Sequence, residues 1–209
     1  MNGSVAFVGG VKNMSVKQVK KADEGRGSLP EKPTSGDWRL SPQDVERDVK
    51  QTKEKMISMI NSTTAMLLKT LRSVREFKDE IDDVKVRTML YVCEELLDEA
   101  VYAFKSAYRE LTLEELELPD VSEGVRVDFN LASGLWEVSY KLENFYDGDI
   151  YDLLEEVSMH DHLSYNKFFY SGKYFVSAVM IIRLASMMLA EALRRLQELE
   201  MEKKLKVSE

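Results

Sequence analysis

Cysteine is almost absent from this chain of 209 residues, since Cys93 is the only one. A single cysteine excludes an internal disulfide framework and a zinc site built from cysteine ligands. There are only two histidines, His160 and His162, so few nitrogen ligands are available for a metal. Four prolines and ten glycines are too few for a collagen-like or loop-rich all-β chain. Hydrophobic residues make up 44% of the chain, which excludes global disorder and suffices for one folded domain.

Positive charge is concentrated at the start of the chain. Residues 1–40 hold seven Lys/Arg and four Asp/Glu, a net charge of +3, whereas residues 41–209 hold 22 Lys/Arg and 33 Asp/Glu. The acidic body repels phosphate backbones, so we expect it not to bind nucleic acids broadly. Residues 1–40 also contain six of the ten glycines and show no apolar periodicity. They are predicted to form a flexible basic arm.

Residues 43–118 contain neither glycine nor proline, which predicts a long helical stretch. Ser41, followed by a proline, is a predicted N-cap. Apolar or small residues then recur at alternating steps of three and four, a spacing typical of helices that pack side by side. The phase of this pattern changes near Asp82-Asp83. The change predicts a turn there and an antiparallel helical hairpin over residues 41–117; one continuous helix of about 70 residues is the alternative.

The first helix of this hairpin is predicted to carry the main interaction surface. Its apolar seam is longer than a compact body of this size can easily cover. Part of it is therefore expected to contact a second copy of the chain or another helical protein. The residues predicted to make this contact are Met56, Met59, Met66, Leu67 and Leu71.

The rest of the chain is predicted to be a linker loop at residues 118–134 and a helical bundle at residues 135–209. Three helices are expected there, at residues 130–146, 149–171 and 173–203. The breaks are placed at Gly148 and Gly172, because glycine suits the left-handed residue that ends many helices. The predicted fold class is all-α: the hairpin packs with the three-helix bundle as one compact domain, preceded by the flexible arm.

A long apolar stretch at residues 174–193 has the length of a membrane span. Arg183 stands at its middle, and arginine is costly at the centre of a lipid bilayer. We therefore expect a buried core helix, no membrane span and a cytoplasmic protein. The buried charge of Arg183 is predicted to pair with a carboxylate of the preceding helices. The favoured partners are Asp152 and Glu156, and the other candidates are Glu137, Glu143 and Glu155.

One small cluster has the composition of a metal site. Glu156 and His160 lie four residues apart and share a face of the predicted helix. Carboxylate-bridged metal bundles need Glu-x-x-His pairs on two helices, and the chain has none. We therefore expect no metal, no cofactor and no catalytic residue, with Glu156 and His160 as weak metal candidates. Cys93 lies on the apolar face of the second helix and is predicted to be a core residue.

The segment Phe168-Phe169-Tyr170-Ser171-Gly172-Lys173-Tyr174-Phe175-Val176-Ser177-Ala178 resembles the turn of tetratricopeptide-type hairpins, in which Gly, an aromatic residue and Ala recur in this order. Residues 154–199 resemble the C-terminal hairpin of a small archaeal helical domain family of unknown function. Small HEPN-type helical ribonucleases resemble these residues in general sequence character. They place an arginine four to six residues before a catalytic histidine, but none precedes His160 or His162 at that distance.

The sequence thus predicts a non-enzymatic interaction or assembly subunit that self-associates through its long amphipathic helices. Two alternatives stay open. One is a helical enzyme, ribonuclease-like or a metal-dependent hydrolase, that uses Glu156, His160 and Arg183. The other is a virion or filament building block whose arm embraces a neighbour. Asn, Gln and Cys together number eleven while 32% of residues are charged, which favours a thermophilic source.

Overall fold

A computed structural model describes residues 41–158 and 161–207. Every regular element in this part is helical and it contains no strand, which confirms the all-α prediction. The helices are α1 (Pro42–Asp79), α2 (Val84–Thr112), α3 (Phe129–Phe145), α4 (Tyr151–Val157) and α5 (His162–Val207), and a π-helical turn (Tyr146–Ile150) joins α3 to α4. The predicted flexible arm, residues 1–40, lies outside the described residues.

Two capping side chains set the start of α1 and the start of α2. The hydroxyl of Ser41 accepts a hydrogen bond from the backbone N–H of Asp44 (3.2 Å). The carboxylate of Asp83 accepts one from the N–H of Val86 (2.9 Å). Each cap satisfies a backbone donor that the first turn of a helix leaves without a partner. The turn therefore falls at Asp82-Asp83 as predicted, and the hairpin is two helices rather than one.

The segment at residues 113–128 connects α2 to α3 and is held against α1. Arg72 donates from Nη1 to the carbonyl oxygens of Val121 (2.8 Å) and Ser122 (2.9 Å). The hydroxyl of Ser73 accepts a hydrogen bond from the N–H of Val125 (2.6 Å). These bonds satisfy backbone groups that no helix or strand pairs.

The predicted end of the linker loop, residue 134, is wrong. Helix α3 already begins at Phe129, because the carboxylate of Asp128 accepts a hydrogen bond from the N–H of Leu131 (3.1 Å). The sequence pattern there was ambiguous, since alternating apolar residues at 125–131 precede the helical spacing. The capping aspartate decides where the helix begins.

Helix α2 lies at the centre of the fold, between α1 on one side and α5 on the other, and α3 packs against α5. Aromatic rings join three of these helices. The ring of Phe175 in α5 meets Phe104 of α2 and Phe145 of α3 edge-on, with centroids 5.7 and 6.0 Å apart. Buried serines allow close approach elsewhere: Ser186 of α5 donates to the carbonyl oxygen of Ala132 in α3 (2.7 Å).

Helix breaks predicted at Gly148 and Gly172 are wrong. Gly148 lies inside the π-helical turn, Gly172 lies inside α5, and neither has a positive φ. Gly172 serves packing instead. A Cβ atom there would lie 2.9 Å from Cε2 of Tyr146, so any larger residue would have to displace this ring from its position against α5.

The break in the C-terminal half comes after α4, at residues 158–161. The carboxylate of Asp161 accepts hydrogen bonds from the N–H groups of Leu163 and Ser164, both 3.1 Å long, and so starts α5. The three helices predicted there correspond to one continuous stretch, α3 through α4, followed by the single long helix α5.

Candidate functional site: an exposed seam on helix α5

The residues predicted to mediate association lie largely inside the chain. Met56, Leu67 and Leu71 are at most 3% exposed, and Met59 and Met66 are half-buried against the same core. The interpretation of this seam as an intermolecular surface is wrong for Met56, Leu67 and Leu71, because α2 folds back along α1 and Ser171 of α5 lies against Met56. The outward surface must be sought on another helix.

Helix α5 carries a second seam that the fold leaves exposed, and we call it the outer seam. Its members recur at steps of four and three along the helix and so lie on one face. At its centre, Met180 is 50% exposed, Leu184 51% and Met187 56%. The outer seam consists of Lys173, Ser177, Met180, Leu184, Met187 and Glu191.

The opposite face of α5 is a core face of the same spacing. Its members are fully buried: Phe175, Ala178, Ile182, Ala185, Leu189 and Ala192. An amphipathic helix of a monomeric protein usually has one apolar stripe and one polar face. Helix α5 instead has apolar side chains on two faces, of which the described chain buries only one.

Arg183 stands between the core face and the outer seam, and it is paired as predicted. Its Nη1 and Nη2 donate to Oε1 (3.2 Å) and Oε2 (2.7 Å) of Glu143 in α3. The favoured partners, Asp152 and Glu156, are wrong, because α3 packs beside α5 at the level of Arg183. The side chain of Arg183 is 21% exposed, so the charge is half-buried rather than buried. Hydrogen bonding from Arg183 lowers the pKa of Glu143, which keeps the pair ionised.

Two exposed aromatic residues of α3 extend the apolar surface beside the outer seam. The guanidinium of Arg183 lies 5.2 Å from the ring centroid of Trp136, a cation–π distance. Trp136 is 45% exposed, and Tyr140, one turn further along α3, is 57% exposed. Aromatic residues, methionine and arginine are the side chains most enriched at the centres of protein interfaces.

Two residues of the enzymatic alternative, Glu156 and Arg183, have different neighbours in the described structure. Glu156 lies on α4 among like charges: desolvation raises its pKa, and Asp48 and Asp152 raise it further. Arg183 is engaged by Glu143. His160 lies outside the described residues, and residues 41–158 and 161–207 contain no group of three or more side chains suited to hold a metal.

Cys93 is a core residue, as its position on the apolar face predicted. It is fully buried, and its Sγ donates a weak hydrogen bond to the carbonyl oxygen of Ala185 (3.5 Å). Burial raises the pKa of its thiol to about 12, and Glu94 adds to the rise. The reactive thiolate is therefore scarce at neutral pH.

Open cavities beside the connecting segment are lined partly by side chains that already have partners within the chain. They are lined by Ser73, Arg72 and Arg75 of α1, among others. Ser73 and Arg72 already bind the backbone of residues 121–125, and Nε of Arg75 donates to Glu94 (2.7 Å). These polar groups therefore already have hydrogen-bond partners within the chain.

By length and composition alone, α5 also meets the criteria for a membrane-crossing helix. Its most apolar window has a mean hydropathy of 1.8, and 44% of that window is buried inside the protein. The buried residues of the core face and the exposed Met180, Leu184 and Met187 of the outer seam both contribute to this hydropathy. The steps of four and three from Lys173 to Glu191 are legible in the sequence, but the apolar residues of the core face obscure them.

No family model matches the chain, and no curated protein or solved structure matches it. The resemblance of residues 154–199 to an archaeal helical domain therefore stays a prediction.

Proposed function

We propose that this chain is a non-enzymatic helical assembly subunit that self-associates through the outer seam of α5 and the neighbouring aromatic residues of α3. The observation that carries the proposal is the exposure of three consecutive seam positions, Met180, Leu184 and Met187, each about half accessible. Scattered surface apolar residues are normal, but a contiguous apolar stripe with aromatic neighbours is typical of an interaction site.

The proposal moves the interaction surface from α1 to α5 while keeping the class of function. The α1 seam supports the subunit's own core, so its substitution would unfold the chain rather than separate subunits. We retain a second copy as the partner, because residues 41–209 hold 22 Lys/Arg against 33 Asp/Glu, and this negative charge disfavours binding to a phosphate backbone.

We also propose that α5 is a core helix and that the protein is cytoplasmic. The ion pair of Arg183 with Glu143 lies midway along the apolar stretch. Helix α3 supplies this carboxylate, so inserting α5 alone into lipid would separate the two charges. The buried core face against α2 supports the same assignment.

Light scattering on two matched variants tests the function. Leu184 and Leu163 both lie on α5 and are 51% and 68% exposed, but only Leu184 belongs to the outer seam. Leu184→Glu is expected to give a monomer, and Leu163→Glu is expected to keep the mass of the native assembly. Circular dichroism should show the same helix content in both. Identical masses for the two variants and the native protein would overturn the proposed surface.

A further inference from the structure

We propose that the occupant of the outer seam is α5 of a second copy, lying antiparallel across a two-fold axis close to residue 182. This inference rests on the proposed function and specifies its partner and geometry. The six seam positions are symmetric about residue 182 in the sequence. Residue 173 corresponds to 191, residue 177 to 187 and residue 180 to 184.

Charge decides between the antiparallel and the parallel arrangement. The seam begins with a cation, Lys173, and ends with an anion, Glu191. An antiparallel copy brings Lys173 of each subunit to Glu191 of the other, twice in one dimer. A parallel copy in register would instead place like charges together, which is unfavourable. The outer seam is thus complementary in charge to an antiparallel copy of itself.

The side chains between these charges also suit the antiparallel arrangement. In an antiparallel pair the small Ser177 faces the long Met187, and Met180 faces Leu184 at the centre. A parallel copy in register would instead place Ser177 opposite Ser177 and Met187 opposite Met187, which fills the space between two helices less evenly. The two-fold axis gives every contact twice, as required for an isologous dimer.

The charges at the seam ends are accessible for this pairing. Lys173 is exposed, and its Nζ rests over the ring of Phe169 at 4.4 Å from the centroid. The side chain of Glu191 is 44% exposed and accepts hydrogen bonds from Nε (2.9 Å) and Nη2 (2.6 Å) of Arg194 on the same helix, so in the proposed dimer it is shared between Arg194 and Lys173 of the other copy. Between them the only ionised side chain of α5 is Arg183, which Glu143 neutralises. The seam therefore has an apolar centre and oppositely charged ends.

A second copy fits this surface better than a lipid bilayer or a growing filament. A helix that lies on a membrane generally has a charged face opposite its apolar face, whereas the face of α5 opposite the outer seam is the buried core face. A filament needs a head-to-tail contact between two different surfaces, whereas the proposed contact joins a surface to itself and closes as a dimer.

Chemical cross-linking of two variants, each with one added cysteine, tests the antiparallel geometry. Ser177→Cys and Met187→Cys are both at exposed positions. In the proposed dimer residue 177 faces 187 of the other copy, while two copies of residue 177 lie about 15 Å apart along the helix. A short bismaleimide should therefore link the 1:1 mixture of the two variants and link neither variant alone. The native protein is the control, because Cys93 is buried.

Self-linking of either variant, or no linking in the mixture, would overturn the antiparallel register. The proposed function would survive that result if Leu184→Glu still dissociated the assembly. A monomeric native chain that binds phosphatidylcholine vesicles through Leu184 would overturn both proposals.

A charge exchange gives an independent test. Lys173→Glu should raise the dimer dissociation constant roughly three- to tenfold, because it replaces two attractive contacts by two repulsive ones. Adding Glu191→Lys should restore it. Lys50→Glu, an exposed lysine on α1, controls for the same change of net charge and should have no effect. An equal effect of Lys50→Glu and Lys173→Glu, or no rescue by the double exchange, would contradict the pairing.

Discussion

The seam on α1 and the outer seam on α5 have the same spacing but different roles. On α1 the seam is covered by α2, and its central residue Leu67 is fully buried. On α5 the corresponding central residue, Leu184, is 51% exposed. Steps of three and four show that a helix has a packing face. They do not show whether the partner belongs to the same chain.

The difference follows from how many faces each helix has. Helix α1 has one apolar stripe, which α2 and the C-terminal helices of the same chain cover. Helix α5 has two, and α2 and α3 cover only the core face and one flank. The second stripe is the surface to which we propose that another molecule binds.

Truncation of Leu67 and of Leu184 to alanine should give the largest difference in stability between the two seams. Leu67→Ala is expected to lower the free energy of unfolding by about 2–5 kcal/mol, because it leaves a cavity in the core. Leu184→Ala should change the stability of the dilute monomer by no more than about 0.5 kcal/mol. Urea unfolding at low protein concentration measures both. Similar losses for the two variants would erase the distinction between a covered and an open seam.

Glycine substitutions should sharpen the contrast on α5 itself. Gly172→Ala is expected to destabilise the fold by about 1–3 kcal/mol, because the new Cβ meets the ring of Tyr146. Gly134→Ala on α3 is the control. A Cβ there has no heavy atom within 4 Å, so alanine should stabilise the helix by about 0.5–1 kcal/mol. Thermal unfolding measures both, and a stabilised Gly172→Ala protein would contradict the packing of Tyr146 against α5.

Acid should weaken the hairpin that covers the α1 seam. Desolvation raises the pKa of Glu94, but hydrogen bonds from Lys78 (2.5 Å) and Arg75 (2.7 Å) outweigh it and hold the pKa below its ordinary value. A lowered folded-state pKa means that this stabilisation is present above the unfolded pKa of about 4.3 and is lost as pH falls through the folded pKa.

The measurement for this clamp is the difference between the unfolding free energies of the native protein and Glu94→Gln across pH 7 to 2. We expect a difference of about 1 kcal/mol at pH 7 that shrinks as the pH falls below about 4. Glu95→Gln, at the exposed neighbouring position, should follow the native curve. A difference independent of pH would mean that ionisation of Glu94 does not support the hairpin.

Replacement of Arg183 should have the smallest effect on stability. Methionine retains a flexible apolar side chain beside Trp136, and the ion pair that is lost is partly open to solvent. We expect Arg183→Met to keep the fold, with a smaller change in Tm than that caused by Glu94→Gln. A larger change would show that the pair with Glu143 is a principal link between α3 and α5.

Local signals in the sequence predicted part of this fold. The capping pattern at Ser41 and the change of phase at Asp82-Asp83 place the hairpin, because caps and helical periodicity depend only on nearby residues. The need of Arg183 for a carboxylate followed from the cost of an unpaired charge. The choice of Glu143 did not, since it depends on which helix packs alongside.

Other features depended on tertiary contacts that a sequence does not display. Glycine is common at helix ends, but at position 172 the close approach of the Tyr146 ring from another element is what favours a glycine. The spacing of the outer seam, from Lys173 to Glu191, can be recognised in the sequence. Its exposure became evident only once α2 and α3 were seen to cover the other sides of α5. Prediction failed where a residue's role is set by a distant partner.

The mass of the native protein at increasing concentration tests the central claim most directly. Sedimentation equilibrium should show a reversible transition from the 24.1 kDa chain to a species of twice that mass, with nothing larger. Dissociation on dilution should follow a single monomer–dimer equilibrium, because the outer seam closes on itself. A mass of 24.1 kDa at every concentration, up to the millimolar range, would contradict the account.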